Sequence, residues 1–165
     1  MLQALADLDG DDSALGRSYA DLAKLARAVS PTEAAEEYGA LFVGLTHGEL
    51  IPYGSYYLTG FLHEKPLARL RADMAGLDIA PAAGVSEPED HIAALCEMMA
   101  GLIEGEFGPV PLAEQERFFV SHIAGWAPHF FADLETAPSA TLYRPVGAIG
   151  RLFLAIEIQA FAMAA

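Results

Sequence analysis

The stretch LYRPVGAIGRLFLAIEIQAFAM, residues 142–163, decides the fold class of this 165-residue chain. Its apolar positions recur at intervals of alternately four and three residues, which is the spacing of one face of an α-helix. These positions are Leu142, Val146, Ile149, Phe153, Ile156, Ala160 and Met163. Pro145 stands near the start of the stretch, where a missing backbone N–H is tolerated. The sequence therefore predicts a long amphipathic helix here.

Six further helices are predicted from similar signals. Ser30-Pro31-Thr32-Glu33 is a capping box with proline at the first helical position, and it predicts a helix to about Val43. A second capping box, Ser86-Glu87-Pro88-Glu89, predicts a helix to about Glu104. The other predicted helices cover 15–29, 65–76, 112–124 and a short segment from residue 128. No segment alternates with period two, so we predict one all-α domain over residues 1–165, a bundle of about seven helices.

Two segments interrupt the helical pattern. Residues 45–64 are aromatic and rich in glycine, and residues 76–86 contain Gly and Pro. We expect the second segment to be a hinge between an N-terminal and a C-terminal half. A hinge would permit two copies to exchange halves, so a monomer and a domain-swapped dimer both remain open.

Acidic residues dominate the charge. The chain has 9 Lys and Arg against 23 Asp and Glu, which gives a formal net charge of -14. Phosphate backbones and anionic lipid repel such a chain, so we expect no nucleic-acid partner. Residues 72–116 contain ten acids and no Lys or Arg. That segment is either a solvated acidic face or a docking surface for a basic peptide. Only the second interpretation accounts for the excess of acids over Lys and Arg.

The compartment follows from three further features. Cys96 is the single cysteine, so no disulfide forms within the chain and a reducing compartment is favoured. The first ten residues contain no Lys or Arg, unlike the start of a signal peptide. The most apolar stretch, 152–165, contains Glu157 and is shorter than a membrane span of ~20 residues. We predict a cytoplasmic protein without stable membrane insertion.

Two short stretches are candidate binding elements. Residues 48–57 place three tyrosines beside Pro52, which fits either a turn and short helix anchored by tyrosines or an aromatic binding surface. Helix capping accounts for Glu87 and Glu89 but not for the Asp90-His91 pair. Asp90, Glu97 and Glu104 lie seven residues apart and therefore on roughly one helical face. His91 is either a partly buried hydrogen-bonded residue or a functional one.

Signatures of enzymes are mostly missing from the sequence. It contains no glycine-rich phosphate loop, no Gly-x-Ser-x-Gly, and neither His-Glu-x-x-His nor Glu-x-x-His. His122 and Trp126 are i,i+4 neighbours, which favours an aromatic core with a hydrogen-bonded histidine. We therefore predict no metal, no cofactor and no catalytic residue.

Four motifs in order carry a resemblance to a known family. They are Tyr38-x-x-Leu41-Phe42-x-Gly44, Glu49-x-x-Pro52-Tyr53-x-Ser55-x-Tyr57, Glu87-Pro88-x-Asp90-His91-Ile92 and Phe119-x-x-His122-x-x-x-Trp126. Together, over roughly residues 30–153, they resemble the TorD/DmsD/NarJ family of redox-enzyme maturation chaperones. One departure is Leu95, where that family often has a glutamate.

The resemblance implies an all-helical, cytoplasmic, non-catalytic chaperone with a hinge before the Asp-His helix. Such proteins bind the twin-arginine leader and the apo catalytic subunit of a molybdenum enzyme, assist cofactor insertion and delay export. It implies a formate dehydrogenase or a DMSO/TMAO-reductase-type enzyme as the client. It places Asp90 and His91 at the peptide-binding site. The other implied site residues are Glu49, Pro52, Tyr53, Ser55, Tyr57, Glu87, Pro88 and Glu97, with Tyr53, Ser55 and Tyr57 on the surrounding surface and His122 and Trp126 near a possible groove.

Two alternatives of other classes stay open. One is a helical scaffolding module that recognises a folded subunit surface rather than a leader. The other is an enzyme that uses His91 and Asp90 as a metal or acid–base site.

Overall fold

The computed structural model describes residues 2–44, 47–81 and 84–164 of the chain. Over these residues the fold is built from nine α-helices and contains no strand, apart from one isolated bridge between Tyr53 and His91. The predicted all-α fold class is therefore confirmed.

The helices run along the chain as follows. They are α1 (Leu2–Ala6), α2 (Ala14–Ala28), α3 (Pro31–Tyr38), α4 (Gly54–Thr59), α5 (Lys65–Gly76), α6 (Ile92–Glu104), α7 (Leu112–Phe119), α8 (Ala127–Thr136) and α9 (Tyr143–Ala164). A π-helical turn at Gly39–Val43 extends α3, and a second at Val120–Ala124 extends α7. The predicted ends at Val43 and Ala124 correspond to these extensions.

The chain divides into two compact units, of which the first comprises Met1–Ile51 and Pro128–Ala165. Here α2 packs against both α1 and α9. The buried side chains at this contact are Ala6, Leu22, Ala26 and Leu142. The carboxylate of Glu37 in α3 accepts the backbone N–H groups of Thr141, Leu142 and Tyr143 at 2.8 to 3.0 Å. It thereby caps the N-terminal end of α9, whose first N–H groups have no partner inside the helix.

The second unit is Pro52–Ala127. Helix α5 packs against α4, and α6 packs against α7 and its π-helical extension. Leu95, Met98 and Leu102 form the buried face of α6, as their spacing predicts. Phe118 and Trp126 are almost fully buried. This unit holds every motif residue from Pro52 to Trp126.

The start of α6 differs from the predicted capping box at Ser86–Glu89. The helix begins at Ile92, and the N-cap is His91, whose Nδ1 accepts the N–H of Ala93 at 3.1 Å. Glu89 instead forms an ion pair with Arg71 at 2.8 Å. Asp90 precedes the helix and is buried, so the expected acidic face of α6 keeps only Glu97 and Glu104.

Helix α9 also corrects an expectation about length. The helix is longer than the apolar stretch 152–165, and its segment Tyr143–Met163 reaches the length and composition of a membrane span. Single helices of soluble proteins also reach them, so the prediction of no stable membrane insertion is unchanged. Arg151 of α9 is paired with Glu135 of α8 at 2.7 Å.

Two predictions about organisation stay predictions, namely the single domain over 1–165 and the hinge at 76–86. Ala82 and Ala83, within that hinge, lie outside the described residues, as do Leu45 and Thr46 of the first interrupting segment. The short helix expected after the turn in that segment is α4.

Candidate functional site

The two family-like motifs of the second unit are joined by backbone hydrogen bonds. The N–H of Gly54 donates to the carbonyl of Asp90, and the N–H of Ile92 donates to the carbonyl of Pro52, both at 2.9 Å. These bonds form the bridge between Tyr53 and His91. Residues 35 or more positions apart in sequence are thus held side by side.

The side chain of Asp90 strengthens this junction. Its Oδ2 accepts the backbone N–H of Ser55 at 2.7 Å, and only 4% of the residue is exposed. Ser55 is in the first turn of α4, where N–H groups have no partner within the helix. A carboxylate at this position also complements the helix dipole. Asp90 therefore holds the tyrosine-rich motif in place from inside the unit.

Aromatic rings line both sides of the junction. Tyr53 meets the His91 ring edge to face with the centroids 5.1 Å apart, and Tyr57 meets Trp126 at 5.5 Å. Gly54 allows this close packing, because an added Cβ would lie only 3.0 Å from Nε1 of Trp126. The turn and short helix anchored by tyrosines is confirmed, and Tyr56 remains exposed beside it.

The position of Ser55 corrects the expectation that it lies on the surface. Its side chain is 0% exposed, and its hydroxyl has no hydrogen-bond partner among the residues that the structure describes. Its role in peptide binding stays a prediction. Because the side chain is buried, a direct contact with a peptide at the surface does not support that role.

His91 is half-buried and carries out the N-cap function in its neutral form. Burial lowers the pKa of His91, while the negative charges of Glu87, Asp90 and Glu97 act in the opposite direction. An imidazole that accepts the N–H of Ala93 through Nδ1 must carry its proton on Nε2. The lowered pKa favours that neutral state.

The remaining acids of the motif divide into engaged and free ones. The carboxylate of Glu89 is half-buried, and the hydrogen bond from Arg71 lowers its pKa although burial opposes the shift. Glu87 and Glu97 are exposed, and neither forms an ion pair within the described residues. Pro88 is half-buried, and its carbonyl accepts the N–H of His91 at 3.1 Å.

His122 and Trp126 belong to the interior of the same unit. Nε2 of His122 lies 2.7 Å from Oδ2 of Asp73, and Nε1 of Trp126 donates to the carbonyl of His122 at 2.7 Å. Arg117 donates to the same Asp73 at 3.1 Å. The expectation of an aromatic core with a hydrogen-bonded histidine is confirmed. Sequence reasoning missed Asp73, which is 49 residues from His122 and has no motif of its own.

Glu49 belongs to the first unit, whereas the other predicted site residues belong to the second. Its carboxylate accepts the hydroxyl of Ser139 and the Ser139 N–H. The structure gives Glu49 a contact within its own unit, and its part in peptide binding stays a prediction.

Comparison with known proteins agrees with these motifs. Residues 8–132 match the family model described as nitrate reductase delta subunit. The chain belongs to this family, the TorD/NarJ family. It is 30% identical to the protein named Chaperone protein TorD from Aliivibrio fischeri, over 59% of this chain and 50% of that protein. The chain thus matches about half the length of this curated relative.

Proposed function

We propose that the protein is a cytoplasmic maturation chaperone for a molybdenum oxidoreductase. It binds the twin-arginine leader and the apo catalytic subunit of that enzyme, assists cofactor insertion and delays export. The observation that carries this proposal is the family match over residues 8–132. The client we expect is a formate dehydrogenase or an enzyme of the DMSO/TMAO-reductase type, and the protein acts on it without catalysing a reaction.

The second unit supports recognition of a cationic peptide. The motif residues from Pro52 to Tyr57 and from Glu87 to Ile92 are joined into one element by the Asp90 contacts. The sequence from 72 to 116 carries ten acids and no Lys or Arg. Among these acids, Glu87, Glu97 and Glu106 are exposed and have no ion pair within the described residues. A leader offers two arginines followed by an apolar segment, so its charge complements this surface. His91, Tyr53 and Tyr57 supply rings at the same place.

The test is titration calorimetry of the full chain with a synthetic twin-arginine leader from a neighbouring molybdoenzyme gene. The matched control is the same peptide with both arginines replaced by alanine. We expect a dissociation constant of about 1 μM, which is about -8 kcal/mol, for the natural leader and clearly weaker binding of the control. Equal binding of both peptides would overturn arginine recognition. No binding of either would overturn leader recognition.

A scaffolding module that binds a folded subunit surface is the second candidate. The observation that favours it is the exposed apolar face at the C-terminal part of α9. Phe153 is 47%, Ile156 50% and Met163 82% exposed. Under this alternative a client subunit without its leader would bind as tightly as the full subunit. Pull-down of both forms at equal concentration separates the two functions.

A further inference from the structure

An apolar pocket with an acidic rim lies in the second unit, next to the Asp-His motif. Its volume is about 320 Å³. The apolar lining includes Met74 of α5, Met98 of α6, Ile79 and Phe107. Met98 and Met74 are buried, and Phe107 is half-buried. A pocket of this size holds one or two side chains rather than a helix.

The chain reversal after α6 shapes one wall of the pocket. Gly105 has a positive φ of 78°, and its N–H donates to the carbonyl of Gly101. The N–H of Glu106 donates to the same carbonyl at 2.9 Å. The reversal returns Phe107 onto Gly101, where an added Cβ would lie only 2.5 Å from the ring. The Phe107 ring therefore packs directly on Gly101.

Four glutamates line the pocket. Glu89 is paired with Arg71, and the carboxylates of Glu87, Glu97 and Glu106 form the acidic rim. All three residues are exposed, and none of them has an ion pair within the described part of the chain. The Glu106 carboxylate reaches back over Gly101, since its Oε2 would lie 3.2 Å from a Cβ there. Glu97 is one helical turn before Gly101 and so lies on the same face of α6.

We propose that this pocket binds an arginine side chain of the client leader, an inference that rests on the proposed function. The aliphatic stem packs on Met98 and Phe107, because arginine buries its methylene groups on apolar surface and keeps its charge in water. The guanidinium is held at the rim by Glu97 and Glu106, since its planar fork matches carboxylates. Glu87 adds negative charge on the side of the Asp-His motif.

The structure favours these glutamates over Asp90 as the acceptors of arginine. The Asp90 carboxylate is buried and accepts the N–H of Ser55, whereas the rim carboxylates are open to solvent. The apolar lining favours arginine over a metal ion, and among residues 2–44, 47–81 and 84–164 no three carboxylate, histidine or cysteine side chains are grouped so that they could hold a metal ion. In this arrangement Asp90 is a positioning residue that shapes the junction beside the pocket.

The experiment compares three leader peptides on four forms of the full chain. The peptides carry Arg-Arg, Lys-Lys or Gln-Gln at the twin-arginine position. The proteins are the wild type, Glu97→Gln, Glu106→Gln and the control Glu104→Gln. Glu104 is exposed on the same helix but does not line the pocket, and its substitution changes the net charge equally. All three substitutions are at exposed positions, so the fold is retained.

We expect Glu97→Gln and Glu106→Gln each to weaken binding of the Arg-Arg peptide about tenfold and to reduce its advantage over Lys-Lys. Glu104→Gln should change affinity less than about twofold, because this exposed carboxylate does not line the pocket. Equal weakening by Glu97→Gln and Glu104→Gln, or none by Glu97→Gln, would overturn the pocket and leave the chaperone function standing. Failure of the wild type to bind any leader would overturn both.

Discussion

Asp90 and Ser55 are 35 residues apart in sequence, and the carboxylate of one accepts the backbone N–H of the other at 2.7 Å. The contact has a consequence for how the Asp-His motif is interpreted. A charged side chain that is 4% exposed and already bonded to a helix terminus contributes to the architecture of the unit. Its effect on a ligand is then transmitted through the position of α4 and of the rings beside it.

The first prediction concerns Asp90 itself. Asp90→Ala should lower the free energy of unfolding by about 1–3 kcal/mol, because a buried N–H loses a charged acceptor. Asp90→Asn should cost less, since its amide oxygen still accepts from Ser55. Urea denaturation followed by circular dichroism measures both. The control is Asp21→Asn on the exposed face of α2, where little change is expected. If Asp90→Ala is as stable as the control, the contact between Asp90 and Ser55 does not contribute to the free energy of unfolding.

Ser55 allows a contrasting prediction. Its hydroxyl is fully buried and has no partner among the described residues, so removing it leaves no acceptor or donor unpaired. Ser55→Ala should therefore change the free energy of unfolding by less than about 0.5 kcal/mol or stabilise the protein slightly. Ser30→Ala, which removes the capping box of α3, should cost about 1 kcal/mol. Equal losses for the two serines would contradict the burial of an unbonded hydroxyl.

The sequence predicted the long helices well because their apolar faces repeat over several turns. Residues 15–29 and 142–163 each give such a pattern, and α2 and α9 occupy these positions. Helix α5 is predicted instead from Pro66 at its start and Gly76 at its end. Helix α4 has only six residues, too few to show a period, and its N-terminal end depends on Asp90 far along the chain. Propensity favoured a start at Ser86 for α6, but contacts of Glu89 and Asp90 outside the helix moved it to Ile92.

For the candidate site, the family resemblance implied that the motifs Pro52 to Tyr57 and Glu87 to Ile92 lie close together, and backbone hydrogen bonds join them. Their part in peptide binding stays a prediction. The sequence did not show which carboxylates are free and which are engaged. Asp90 is bonded within the unit and Glu97 is open, although both are acids at helical spacing. Asp90 precedes α6 and Glu97 lies within it, and a periodic pattern of acids does not show at which residue the helix begins. Asp73 was missed for a similar reason, since its partner His122 is distant in sequence.

The Asp73–His122 pair provides the third prediction. Partial burial opposes the shift, but hydrogen bonds from His122 and Arg117 lower the pKa of Asp73. Asp73→Asn should destabilise the protein by about 1–3 kcal/mol at pH 7, because buried His122 loses an ionised partner. Arg117→Gln should cost less than about 1 kcal/mol, since that side chain is 45% exposed.

The pH dependence of this pair has a definite sign. A carboxyl with a lowered folded pKa adds stability above its unfolded pKa, and that stability is lost as the pH falls through the folded value. The gap in stability between the wild type and Asp73→Asn should therefore narrow between about pH 5 and pH 3. A gap that is constant over this range would show that Asp73 acts through shape rather than charge.

Glu37 gives a prediction in the first unit. Its carboxylate accepts three successive N–H groups, from Thr141 to Tyr143, where α9 begins. The side chain of its neighbour Glu36 is exposed and has no hydrogen bond or ion pair within the described residues. Glu37→Gln should lower the free energy of unfolding by about 1–2 kcal/mol, since the anion at the helix terminus is lost. Glu36→Gln, with the same charge change, should have little effect. Similar losses in the two variants would assign the effect to net charge.

The last prediction concerns His91 and pH. Because burial lowers its folded pKa, the unfolded chain binds this proton more readily, and the free energy of unfolding falls as the pH falls below the ordinary histidine pKa of about 6.5. Protonation also removes the Nδ1 lone pair that accepts the N–H of Ala93. His91→Asn keeps an N-cap acceptor without a titrating ring. Relative to the wild type, this variant should gain stability between about pH 7.5 and pH 5.

Urea denaturation at these two pH values measures that difference in stability. The contribution of the carboxyl groups that both proteins share cancels in the comparison. The control is His129→Asn at an exposed position, which should show no comparable gain. The charges of Glu87, Asp90 and Glu97 limit the size of the effect, since they favour the protonated ring. Replacing Glu97 by Gln in the wild type should therefore increase the loss of stability at low pH. If the stability of the wild type and of His91→Asn changes with pH in parallel, then His91 binds its proton equally well in the folded and the unfolded chain. Its N-cap would then not depend on protonation.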